Sequence, residues 1–132
     1  MISAMSDRLV KGVDFACLAT TDHEAACNFY ENVLGLERAK SWGSMPATEF
    51  ETGSLTLAVV DWTAFGLENH PNPNAIVMHV DEVEDAKTEL ESRGVKFDTD
   101  IIDSGTCKQA YFADPDGNAL GIHSFYGERP AA

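Results

Sequence analysis

The sequence predicts an α+β fold made of two tandem βαβββ units, and three observations predict it. Two stretches of helically spaced apolar residues each follow one apolar run and precede three more. A linker rich in proline and asparagine separates the two sets, and the same order then restarts, giving an internal repeat of about 55 residues. Strands arrive in runs and do not alternate with helices, which excludes a doubly wound parallel sheet.

Residues 13–20 (VDFACLAT) read as the first strand. Asp22 then caps a helix running to Leu34, its carboxylate placed to accept from free backbone N–H groups. Ala26, Phe29, Tyr30 and Val33 share one face of that helix and form its buried stripe, while Cys27 falls at the surface or rim. Gly35 is the natural stop, since it takes a left-handed backbone without penalty. Strands follow at 36–41, 46–51 and 54–61, with Gly43 and Thr52-Gly53 as turns. Pro71 and Pro73 keep the linker 62–74 irregular. In the second unit, 75–80 is a strand and Asp81 caps a helix with Glu84 as the second half of a capping box. Val83, Ala86 and Leu90 face the core, Glu89 pairs with Arg93, and Gly94 ends the helix. Strands at 95–101, 107–112 and 118–125 complete it, the last two joined by the tight turn Asp114-Pro115-Asp116-Gly117. One domain over residues 8–128 accounts for the chain: repeat one at 10–61, repeat two at 75–126.

Composition narrows the function classes. The chain of 132 residues has 44% apolar and 23% charged residues, as a globular protein does. Its net charge of −13 argues against nucleic acid and anionic membrane as partners, since phosphate binding needs a basic face. The two halves, 1–70 and 71–132, carry −6 and −7, so charge is spread; it suits solubility and also a cationic ligand. Cys17, Cys27 and Cys107 are too few and too widely spaced for a disulfide framework or a CxxC metal site, which fits reduced thiols in a cytoplasm. Met1–Ser6 has no signal-peptide pattern, and no run reaches the ~18 apolar residues of a membrane span.

Two motifs carry a resemblance: Asp22 followed by Phe29-Tyr30-Glu31-Asn32-Val33-Leu34-Gly35-Leu36, and Tyr111-Phe112-Ala113-Asp114-Pro115-Asp116-Gly117-Asn118. In this order and separation, over residues 10–126, the chain resembles the vicinal oxygen chelate superfamily, which includes glyoxalase I, bleomycin-resistance proteins, fosfomycin-resistance enzymes and extradiol dioxygenases. The resemblance implies that each repeat curls a mixed β-sheet into a cup with the helices outside, and that two cups enclose a cavity. Small members commonly pair as homodimers, and metal-using members place one ligand on each of four strands. Here those four positions fall on Phe15, Leu57, Ala75 and Gly121. None can coordinate a divalent cation, so no metal and no cofactor is expected.

Strand alternation extends the cavity set, because residues two apart share a face. Phe15 brings Cys17, Leu57 brings Leu55 and Val59, Ala75 brings Val77 and His79, and Gly121 brings His123. With Phe112 under the helix, Tyr111, Gln109 and Cys107 turn inward, and Glu49 joins from the third strand. The expected site is an apolar cup with His79, Gln109, Tyr111 and His123 converging as polar groups. His79 and His123 suit acid–base chemistry, ligand contact or a hydrogen bond within the core. A metal would need Glu49 or Cys17 as a further ligand. Cys107 is a nucleophile candidate if a histidine lies within reach, and otherwise fills space. Trp42, Trp62 and Phe65 suit either a flat ligand at the cavity mouth or a subunit interface. The function these readings favour is binding of a small organic molecule by a homodimer without the usual metal ligands. The alternatives are a metal-independent lyase or isomerase using His79 or His123, a partner-binding subunit, and a metal-dependent glyoxalase or dioxygenase.

Overall fold

A computed structural model describes residues 8–126. Met1–Ser6 and the end of the expected domain, 127 and 128, lie outside the described residues. The elements follow as β1 (Ala16–Ala19), α1 (His23–Asn28), β2 (Glu37–Ser41), β3 (Ala47–Glu51), β4 (Thr56–Val60), β5 (Ile76–His79), α2 (Val83–Ser92), β6 (Ile102–Asp103), β7 (Cys107–Ala113) and β8 (Ala119–Phe125). They form two open four-stranded mixed sheets, ordered β1-β4-β3-β2 and β5-β8-β7-β6. In each sheet the first strand runs parallel to the fourth and the other pairs are antiparallel. The duplication read in the sequence is therefore a duplication of topology.

Asp22 caps α1 as expected, accepting from the Ala25 N–H at 3.1 Å. The helix does not stay regular to Leu34: Phe29–Val33 is a π-helical turn, with the Leu34 N–H reaching the Phe29 carbonyl at 3.0 Å. Both adjacent rings, Phe29 and Tyr30, are buried and meet edge to face at 5.3 Å. Cys27 corrects the surface expectation: it is buried against the core. In α2 the cap lies at Glu82, one residue beyond Asp81, and its side chain makes no capping bond. The capping box is absent because Glu84 turns instead to the Lys108 ammonium. The 95–101 strand is also corrected. That stretch makes one isolated bridge, Phe97 to Phe112, and β6 is the two residues after it. The linker is not wholly irregular, since Trp62–Phe65 forms a 3-10 turn capped by Asp61.

One apolar core draws on both halves, with Leu18, Tyr30, Phe50 and Leu57 from the first and Val83, Leu90, Phe112 and Ile122 from the second. The two sequence motifs meet at its edge. The Tyr30 hydroxyl donates to Asp114 at 2.6 Å, and Asn118 Nδ2 donates both to Asp114 and to the Ala19 carbonyl, each at 2.8 Å. The other Asp114 oxygen accepts from the Asp116 and Asn118 N–H groups at 2.9 Å. Asn118 in turn accepts from the Asn72 N–H of the linker at 2.8 Å. The Asp-Pro-Asp-Gly-Asn turn is thus a clasp that holds α1, β1 and the linker against the second sheet.

Candidate functional site

Register decides which side chains share a face, because residues directly opposite on paired strands project to the same side. In the second sheet, Val77 lies beside Gly121 and Gly121 beside Tyr111; His79 lies beside His123 and His123 beside Gln109. Cys107 lies opposite Phe125 on the same face. The other face carries Ile76, Met78, Ala110, Phe112, Leu120 and Ile122, all packed in the core with α2. The six expected residues Val77, His79, Cys107, Gln109, Tyr111 and His123 are therefore brought together on the face turned away from the helix.

Gly121 has a consequence that sequence reasoning missed. A Cβ added there would sit 2.8 Å from two carbons of the Tyr111 ring. The bare backbone of Gly121 is what lets the phenol lie across the middle of this face. The Tyr111 hydroxyl donates to Gln109 Oε1, which leaves the Gln109 amide hydrogens for a further partner. His123 packs edge to face on Phe125 at 4.6 Å, so Phe125 extends the face by one more position. Cys107 Sγ is 2.9 Å from Ser104 Oγ at the sheet's end, and among the described residues no hydrogen bond joins it to a histidine.

In the first sheet, Cys17, Ala58, Glu49 and Lys40 form one row across the four strands. Phe15 joins that face through Trp42, its ring 5.4 Å away, and Trp42 Nε1–H donates to Glu49 Oε2 at 2.7 Å. Partial burial, then the Glu49 charge, push the Cys17 thiol above its ordinary value. Leu57 and Val59 do not belong here. They lie on the opposite face, fully buried in the core with Leu18 and Phe50. The parity was slipped by one residue: the partner of Cys17 and Glu49 is Ala58, as the partner of Val77 and Tyr111 is Gly121.

A groove of about 480 Å³ runs between the halves along Leu36, Leu55, Leu57, Ile76, Met78 and His79. Of the expected set it reaches Leu55, Leu57, Val77 and His79. On the two helix-free faces Phe15, Val77 and Phe125 are exposed, while Ala47, Ala58 and Val60 are buried beneath Trp42 and Trp62.

A family profile of the glyoxalase/bleomycin resistance protein/dioxygenase superfamily matches residues 12–122, and the chain belongs to that superfamily. A comparison with curated protein sequences gives no match. Solved structures of the same fold include an antibiotic binding protein from Streptomyces, 24% identical, covering 87% of this chain and 96% of its own, with a TM-score of 0.71. A lactoylglutathione lyase from Agrobacterium tumefaciens is 21% identical over 88% of this chain and 95% of its own, TM-score 0.70. A glyoxalase/bleomycin resistance protein/dioxygenase from Nocardioides is 22% identical over 96% and 93%, TM-score 0.71. At these identities the likeness is one of fold. Metal chemistry does not fit the residues at hand. Phe15, Ala58, Ala75 and Gly121 offer no donor side chain, and Tyr111 covers Gly121. Among the described residues no three His, Cys, Asp or Glu side chains are placed to hold a metal ion, and no helix is long and apolar enough to cross a membrane.

Proposed function

We propose that this protein binds a small organic molecule on the helix-free faces of its sheets, as a homodimeric binding protein acting in the cytoplasm. The observation that carries the reading is the Tyr111 ring lying over Gly121, flanked by Gln109, His79 and His123. An aromatic plate ringed by a few hydrogen-bonding groups is the usual makeup of a small-molecule site. The antibiotic binding protein among the structural neighbours supports this use of the fold, and the unsuited donor set argues against a metal-dependent glyoxalase or dioxygenase. The open face of each sheet needs a cover, which a second copy supplies. Three free cysteines accord with a reducing compartment.

A second reading has one observation in its favour. His79 and His123 are direct neighbours on parallel strands, so one imidazole can take a proton while the other gives one, as a metal-independent lyase or isomerase requires. Native mass spectrometry of freshly purified protein tests the binding reading through any retained molecule. His123→Ala should then weaken retention by about 1–3 kcal/mol, since it leaves a ligand polar group unpaired. Unchanged retention in a folded His123→Ala protein overturns the role of this face.

A further inference from the structure

The first sheet's open face differs in chemistry from the second's. Its floor is made of small side chains, Ala47, Ala58 and Val60, and Trp42 and Trp62 pack against them. Aromatic rings follow one another across it: Phe15 on Trp42, Trp42 on Phe65 at 6.4 Å, and Phe65 on Trp62 at 5.7 Å. Phe15 and Phe65 are exposed, so the cluster is open to a partner. One carboxylate stands among these rings. Glu49 is half-buried and fixed through Oε2 by the Trp42 indole N–H, which leaves its other oxygen without a hydrogen bond. Lys40 lies opposite Glu49 in register, but is exposed and makes no ion pair with it.

Aromatic π-faces and a fixed carboxylate are complementary to one kind of group. Rings attract a cation through their quadrupoles, most of all a cation too bulky and weakly hydrated to stay in water. A net charge of −13 adds a long-range field of the same sign. We propose that this face recognises an organic cation, an alkylated ammonium or a comparable charged amine, held between Glu49 and the rings of Phe15, Trp42 and Phe65. The inference rests on the open faces being the binding surface, and it assigns the charge of the ligand.

Both tryptophans of the chain belong to this cluster, so intrinsic fluorescence reads it directly. The intact protein is titrated at constant ionic strength with choline and with its neutral carbon isostere, 3,3-dimethylbutan-1-ol. A saturating change is expected with choline, at least fivefold weaker with the isostere. Glu49→Gln removes the charge and keeps an oxygen for the Trp42 N–H; it should weaken choline at least fivefold. Should that variant fold poorly, Cys17 carries the test in the unaltered protein, because choline and not the isostere should slow its alkylation by iodoacetamide. Equal response to the two probes, or an unchanged choline response in folded Glu49→Gln, overturns the inference. So does fluorescence that varies with protein concentration while choline changes nothing, which marks the cluster as buried between copies. A neutral molecule retained by the protein and lost in His123→Ala, with no preference for choline, sinks this inference and leaves the binding reading standing.

Discussion

Tyr30 shows how much one hydroxyl can be asked to hold. It is fully buried, donates to Asp114 at 2.6 Å, and so joins α1 to the turn between β7 and β8. Tyr30→Phe leaves the Asp114 oxygen with Asn118 as its side-chain partner, and a lost bond to a buried carboxylate costs about 1.5–3 kcal/mol. Urea unfolding should show that loss near neutral pH. The same residue sets a pH dependence. Burial first, then the Asp114 charge, hold the phenol well above its ordinary value of 10.0. Above pH 10 the unfolded chain gives up this proton and the folded one keeps it. The native advantage is therefore whole below pH 10 and declines above it, by about 1.4 kcal/mol per pH unit. The stability gap between the native protein and Tyr30→Phe should shrink between pH 10 and 11. A gap that stays constant over that interval contradicts this account.

At the scale of elements, α2 is under-capped. Glu82 has the extended backbone of a capping residue but makes no side-chain bond, so the first N–H groups of the helix lack that partner. Serine is short enough to reach them. Glu82→Ser should raise stability by about 1 kcal/mol in urea unfolding, with Glu82→Ala as the control lacking the hydroxyl. A serine variant no more stable than the alanine one refutes the capping argument. Much of the order of elements was legible because residues with a local reason to be there mark the boundaries, as Asp22 and Gly35 do for the first helix. The facing of β4 was not. Leu57, Ala58, Val59 and Val60 are all buried, two on each face, so the run is apolar throughout and has no period to read. In β8 and β7, by contrast, His123 and Gln109 break the apolar run and fix the parity. The Tyr111–Gly121 pairing needed one step beyond parity: the length of the Asp114–Asn118 turn sets the hairpin register that places them opposite each other.

For the whole molecule the open question is what covers the helix-free faces. Phe15 and Phe125 are each 39% exposed and Val77 43%, and all three belong to those faces or their ends. Both sheets also leave edge strands unpaired, β1 and β2 in one, β5 and β6 in the other. In the proposed homodimer this surface is buried against the second copy, so that two half-cups complete the proposed binding cup. Charge works against the pairing, since two chains of −13 repel. Salt reduces that repulsion, with a screening length of about 10 Å at 0.1 M. Light scattering at micromolar concentration in moderate salt should therefore give twice the 14.3 kDa of one chain, and the dimer should loosen as salt is withdrawn. A mass that stays near 14.3 kDa across that range rejects the dimer, and with it the two-copy cup.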